Sequence, residues 1–381
     1  MFSQQKKSKT LMFIESNTKY LGCTFVGGKE QNRIIENCGF ENCSFRGQTY
    51  LDEINRCQFK QCNFSSLIID KVHSTVFESG YIENLCAVQE IIKQIEKFVK
   101  IGTINSAQMD EDVWRECWQG SFFDFNQDAW QNLSHDKQQQ YAKAYRNWYS
   151  NVYQLNTIKE YSWANVQFNL QLIPPGKFEM GELNREQSNR PIVTLPEPYW
   201  LAETTCTQEL WEIVMSKNPS SFKGKNRPAE RVNWMDCRNF LKKIDLDLRF
   251  PTEAEWEYAC RAGTSANFSF GSDENHKEIN IETYKMRQTI DVKTLPPNNW
   301  EMYEMHSNVH EWCSDWFDDL PSGEYLNPKG SKNVGKHVLR GHSWDSWCSW
   351  RKITHRFRSG ELTYHSASAI GFRFAQTIYP I

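Results

Sequence analysis

Large apolar residues recur every five positions near the start of the chain. Phe25, Ile35, Phe40, Phe45 and Tyr50 share one register, and Ile54, Phe59, Phe64 and Ile69 share a second, displaced by one residue. A cysteine stands two places before the phenylalanine in five blocks: Cys23-Thr24-Phe25, Cys38-Gly39-Phe40, Cys43-Ser44-Phe45, Cys57-Gln58-Phe59 and Cys62-Asn63-Phe64. A small residue followed two places later by a large one, every five, predicts short faces turning about one interior, so that successive coils stack on a shared core. The period then changes. Val88, Ile91, Ile92, Ile95, Phe98 and Val99 fall at helical spacing, and Ser134 is placed to cap a second helix carrying the stripe Tyr141, Tyr145, Trp148, Tyr149 and Val152. From about residue 166 the pattern becomes short strands broken by turns, as in Phe168–Ile173, Pro174-Pro175-Gly176 and Lys177–Met180. Farther on, Pro251-Thr252-Glu253-Ala254-Glu255 predicts a helix opened by a Thr252/Glu255 capping box, with Gly263 as its stop.

Composition narrows the function classes. The chain has 381 residues, with Lys+Arg 44 against Asp+Glu 47, a net charge of −3. That balance excludes a protein built around a general nucleic-acid face. No apolar run approaches the ~18–20 residues that span a bilayer. The first residues carry charge with no apolar stretch behind them, so no signal peptide is expected and a cytoplasmic location is. The twelve cysteines are then expected to be reduced thiols. Cys38-x4-Cys43 and Cys57-x4-Cys62 also read as two ligand pairs for zinc, the rival of the structural coil. The spacing is wider than the usual knuckle, and each cysteine is locked in phase with a phenylalanine, which favours the coil. Fifteen tryptophans are the compositional outlier, ten of them after residue 166.

The five-residue blocks resemble pentapeptide-repeat proteins, which implies a right-handed β-helix-like coil over residues 1–82, followed by a helical segment over 83–165. The resemblance that covers most of the chain is over 166–381. The blocks Glu203-Thr204-Thr205-Cys206-Thr207-Gln208, Arg249–Gly263, Asn308-Val309-His310-Glu311-Trp312, Leu339-Arg340-Gly341-His342-Ser343-Trp344 and Gly371-Phe372-Arg373-Phe374 stand in the order of the formylglycine-generating enzyme/sulfatase-modifying-factor family. The implied class is α+β with a C-type-lectin-like C-terminal domain, in which large side chains build a core between long ordered loops.

Catalytic members of that family bind copper through two cysteines two and seven places after the aromatic residue of the Arg-Gly block. Here those places hold Ser346 and Arg351, and Cys348 stands alone and out of phase. Cu(I) wants paired soft thiolates, so the expectation is a non-catalytic member with no required cofactor. His306, His310 and Glu311 look superficially like iron ligands but fall in a structural block of the family. The resemblance also implies a structural Ca²⁺ set: the side chains of Glu304 and Glu311 and the carbonyls of Ser307 and Val309.

Between Trp344 and Ile370 the chain leaves the family pattern while both flanks keep it. That layout resembles the variable proteins of diversity-generating retroelements, which carry diversified surface residues just before Gly-Phe-Arg. The implied ligand-binding set is Asp345, Ser346, Trp347, Ser349, Trp350, His355, Phe357, Tyr364 and His365, facing a protein or other macromolecular ligand of unknown identity. Aromatic and small polar residues on a rigid scaffold suit such a surface. Trp344, Arg340 and Arg373 are expected to be structural. An oxidase and a scaffold protein remain the alternatives, and the coil or helical segment could mediate self-association.

Overall fold

Tyr20, Phe40, Phe59 and Phe77 lie side by side on successive parallel strands, and Phe25, Phe45 and Phe64 form a second ladder beside them. The computed structural model that shows this describes residues 4–7, 10–11, 14, 17–26, 34–73, 75–86, 100–104, 108–119, 122–153, 155–181, 190–271, 286–318, 321–330, 335–346, 353, 356–358 and 367–378. It divides into two units, one of Met1–Ser121 with Trp148–Leu155 and Pro380–Ile381, the other of Phe122–Asn147 with Asn156–Tyr379.

In the first unit, Ser44–Asn55 pairs in parallel with Gln58–His73, which pairs with Val76–Cys86. Each step up a ladder is 18–20 residues later in the chain, the length of four five-residue faces. The rings stack face to face along each ladder, with centroids 4.7 Å apart for Phe25–Phe45, 4.2 Å for Phe45–Phe64 and 4.6 Å for Phe40–Phe59. All five phenylalanines of the repeat lie in one buried cluster, together with the five cysteines. The turn before each cysteine is left-handed: Gly22, Asn37, Asn42, Arg56 and Gln61 have φ between 51° and 60°. Glycine and asparagine reach that region at low cost, which is why they recur there. Each thiol donates to the carbonyl two residues back: Cys23 to Leu21, Cys38 to Glu36, Cys43 to Glu41, Cys57 to Asn55 and Cys62 to Lys60, at 3.4–3.6 Å. The cysteines are thus small inward residues with backbone partners, the role the five-residue phase assigns them.

Helix α1 (Glu111–Cys117) brings Trp114 against Trp118, stacked at 5.3 Å, and Trp148 packs edge-on to both. The predicted helix over the apolar spacing 88–99 lies outside the described residues. The second aromatic stripe is borne by a helix, as expected. After α2 (Asp128–Gln131), α3 runs over His135–Val152 and buries Tyr141, Tyr145, Trp148, Tyr149 and Val152.

The second unit is α+β. Its described strands form three four-stranded sheets. One joins Ile158–Trp163, Val166–Ile173, Tyr199–Ala202 and Ala375–Thr377. Another joins Phe357–Arg358, His337–Arg340, His310–Trp316 and Ile370–Gly371. Helices α4 (Gln208–Met215), α5 (Trp234–Ile244) and α6 (Glu253–Arg261) accompany them. The α6 capping box is present: Thr252 accepts the amide of Glu255, and Glu255 accepts that of Thr252. The left-handed cap residue is Ala262, and Gly263 follows at φ 85°. A Cβ on Gly263 would come within 2.7 Å of the Ala142 Cβ, so close packing as well as conformation demands glycine there.

Asp315, at the end of its strand, accepts the first amide of α6 from Glu253 at 3.0 Å and the Ser314 hydroxyl at 2.7 Å. Burial pushes its carboxyl up to about 7, with Glu253 adding to the rise. A carboxyl whose folded pKa exceeds its unfolded value stabilises fully below the unfolded value and loses that contribution as pH rises through the folded one. The window runs from about pH 4 to 7, which bounds the effect at roughly 4 kcal/mol. His337, lowered to about 4 by burial, works in the opposite sense, its contribution fading as pH falls from 6.5. Comparing urea unfolding of wild type and Asp315→Asn across pH 5–8 isolates the aspartate. The variant is expected to show a shallower decline than wild type, the part that remains coming from the buried Glu304 carboxyl, which burial also pushes up to about 7.

Candidate functional site

Three sequence blocks that lie far apart in the chain meet in one sheet. Glu311 pairs across from Arg340 and alongside Gly371, so the Asn-Val-His-Glu-Trp, Leu-Arg-Gly-His-Ser-Trp and Gly-Phe-Arg blocks share one neighbourhood. Two fully buried arginines hold it. Arg373 grips Glu311 with Nε at 2.6 Å and Nη2 at 2.8 Å, and also donates to the carbonyls of Ala202, Glu203 and Tyr303. Arg340 pairs with Glu257 and donates to the Ile353 carbonyl at 2.9 Å, and its guanidinium lies 5.3 Å from the centre of the Trp256 ring. Glu257 in turn takes Arg261 and the amide of Gly181, and although burial opposes it, these cations hold its carboxyl below the usual range. Both arginines are structural, pairing buried carboxylates and carbonyls as expected.

The loop 341–346 leaves this anchored sheet. The Trp344 amide donates to Asn308, its indole donates to the Ser368 carbonyl at 3.1 Å, and its ring meets Phe222 edge-on, so it is a half-buried anchor. Ser343 is the hub of a polar cluster. Its hydroxyl donates to Asp345 and lies 3.1 Å from His310 Nε2 and 3.0 Å from Ser346 Oγ. His310 Nδ1 lies 3.0 Å from the Gly341 carbonyl, which fixes that nitrogen as a donor. A line of polar contacts thus runs from the His310 imidazole through the Ser343 hydroxyl to the Asp345 carboxylate. Phe357 covers the imidazole, ring centroids 4.4 Å apart.

Of the residues predicted to bind ligand, Asp345 is exposed, Ser346 is half-buried and Phe357 is half-buried on His310. Trp347, Ser349, Trp350, His355, Tyr364 and His365 lie outside the described residues. Nothing in the spacing of His310 and Ser343, 33 positions apart, points to their pairing; only the sheet register brings them together.

The two metal readings meet different chemistry. At the places where the family enzymes carry copper-binding cysteines, Ser346 supplies a hydroxyl already engaged with Ser343, and Arg351 is a cation by sequence. This donor set does not fit a two-thiolate copper site. For calcium, both Glu311 oxygens serve Arg373, and one also accepts the Trp256 indole at 2.8 Å. An ion there would have to displace the guanidinium. Glu304 accepts the amides of Lys293 and Leu295, each at 3.2 Å, and burial pushes its carboxyl up to about 7. The groups named for calcium therefore have protein partners at both carboxylates, and the set does not fit the ion.

A model of the sulfatase-modifying factor enzyme 1-like domain matches residues 165–378, more than half of the chain. The chain belongs to that family. Among curated members, a formylglycine-generating enzyme of Streptomyces coelicolor is 31% identical over 169 residues, 39% of this chain and 52% of the relative. The serine/threonine-protein kinase pkn1 of Chlamydia pneumoniae is 33% identical over 156 residues, 40% of this chain and 24% of the relative. The family resemblance thus spans about half and about a quarter of those two proteins. Among solved structures, Treponema denticola variable protein 1 superposes with a TM-score of 0.52 at 26% identity, covering 59% of this chain and all of that one. The fold read from the sequence blocks is therefore that of the family. No helix among the described residues is long and apolar enough to cross a membrane.

Proposed function

We propose that this family member is a non-enzymatic binding protein that presents its C-terminal loop segment to a macromolecular ligand, in the manner of a variable protein. The observation that carries the reading is the state of the loop base. Ser346, at the first of the two places where an oxidase needs a thiolate, belongs to a polar cluster with Ser343 and Asp345, Arg351 holds the second place, and the cluster grows from a sheet clamped by buried Arg340 and Arg373. A rigid base under a sequence that departs from the family pattern is what tolerance of surface change requires, because side chains exposed on a fixed backbone alter affinity without altering the core. Likeness to a variable protein over the whole length of that chain supports the same reading.

Deep sequencing of residues 344–369 in a clonal population tests it. Substitutions concentrated at adenine-containing codons of exposed positions, with 339–343 and 371–374 unchanged, are the expected result. A uniform segment, together with thiol oxidation of a cysteine peptide by the Cu(I)-loaded chain, would reject the reading in favour of the oxidase. A uniform segment with no such turnover favours the scaffold.

A further inference from the structure

Sequence spacing pairs Cys38 with Cys43 and Cys57 with Cys62; the fold pairs them differently, across neighbouring coils. The register that sets Gly39 beside Gln58 sets Cys38 beside Cys57, and the register that sets Ser44 beside Asn63 sets Cys43 beside Cys62. The Gln58 amide donates to the Cys38 carbonyl at 2.8 Å, the Asn63 amide donates to the Cys43 carbonyl at 3.0 Å, and the Cys38 amide donates to the Cys57 sulfur at 3.4 Å. All four cysteines are buried. Within each pair the two sulfurs hydrogen-bond each other. That bond lowers the Cys38 thiol and brings the Cys43 thiol to about 7, while their partners, Cys57 and Cys62, are raised by the same bond first and by burial second. Each pair therefore holds one sulfur that ionises readily beside one that keeps its proton.

Among the described residues no three histidine, cysteine or carboxylate side chains converge as a metal set, so the four-ligand zinc site read as the rival of the coil is not formed. A disulfide fits the pairs poorly as well. It needs Cβ atoms about 3.5–4.5 Å apart, and neighbouring strands stand about 4.7–4.9 Å apart. A linear bridge of sulfur, metal and sulfur spans twice a metal–thiolate bond, about 4.6 Å at the ~2.3 Å of a zinc–thiolate bond. That length matches the rise from coil to coil: two residues along the same rungs, the ring centroids are 4.6 Å apart for Phe40–Phe59 and 4.2 Å for Phe45–Phe64. An ion on the line between two sulfurs needs no separate cavity. Thiolates select soft ions. Charge selects among these, because two thiolates neutralise a divalent cation and leave no net charge in the core, whereas a monovalent one leaves a buried negative charge.

We propose that the Cys38–Cys57 and Cys43–Cys62 pairs each bind one soft divalent cation in linear two-coordination, the mercuric ion being the type, with release of both thiol protons. The thiols give up their hydrogen bonds to the carbonyls of Glu36, Asn55, Glu41 and Lys60 at small cost, since S–H is a weak donor. The ion enters by local opening of the coil. The sites are independent of the ligand-display reading, which concerns the second unit.

Mercuric chloride is the probe. The reduced full-length chain takes up the ion under an excess of glutathione, which strips ions held by a single thiol, while a preorganised pair keeps its ion through effective concentration. Retained ions are counted by native mass spectrometry. Wild type is expected to hold one ion more than Cys38→Ala, one more than Cys62→Ala and two more than the double variant. Cys348→Ala, which removes a thiol outside both pairs, should match wild type. Alanine suits the small inward position of the repeat, so the variants keep their fold, and urea unfolding of each without metal checks this. Mercuric chloride should also raise the wild-type urea midpoint of the first unit, as an ion that binds the native pair does, and zinc chloride should leave it unchanged. Ion counts equal in wild type and both single alanine variants overturn the proposal. A midpoint lowered by mercuric chloride, or zinc retained as well as mercury, overturns it too.

Discussion

Replacing Arg373 with alanine is expected to destabilise the second unit by about 3–5 kcal/mol, the usual cost of removing one partner of a buried ion pair. In a unit of this size that corresponds to a fall of roughly 10 °C in unfolding midpoint. The physical reason is what is left behind. Glu311 would be left fully buried without its cation, with the Trp256 indole as its remaining described side-chain donor, and the carbonyls of Ala202, Glu203 and Tyr303 would lose the guanidinium as a donor. Arg373→Lys should recover little, because an ammonium cannot reproduce the two-pronged grip on Glu311. Adding Glu311→Gln to Arg373→Ala should restore part of the loss by removing the stranded charge. Differential scanning calorimetry of the three variants checks this. A midpoint unchanged in Arg373→Ala would mean that the arginine does not clamp the sheet.

Phe45→Ala is expected to cost about 3–5 kcal/mol of the first unit's stability. The ring is sandwiched between Phe25 and Phe64 and touches the neighbouring ladder through Phe40, so truncation opens a gap that stacked parallel strands cannot close without breaking register. Phe77→Ala should cost less, since among the described rings it stacks on Phe59 alone. Urea unfolding followed by far-UV circular dichroism measures both. Equal, small losses would indicate that the ladders do not carry the unit's stability.

Several features are legible in the order of residues alone. The five-residue period tells which residues of 23–69 face inward, because a repeat that buries one side in every coil must write that side into the sequence each time. The α6 capping box is legible for a similar reason: Thr252 and Glu255 satisfy amides three residues away, and local hydrogen bonding depends on local sequence. The family blocks carry the fold of 166–381, including the structural roles of Arg340 and Arg373.

Tertiary contact decided the rest. Phe357, read as exposed, is half-buried because the register of its two-residue strand sets it over His310. Glu311, read as an ion ligand, has its oxygens taken by Arg373, 62 positions away. The contacts of His310 with Ser343 and of Ser343 with Asp345 depend on groups that meet only after folding. The amino-acid sequence by itself determined the inward phase of the coil, the helix cap and the family frame, since periodicity and short-range hydrogen bonds are written in neighbouring residues. Which carboxylate faces which cation was decided by sheet register and close packing, which no short stretch of sequence contains.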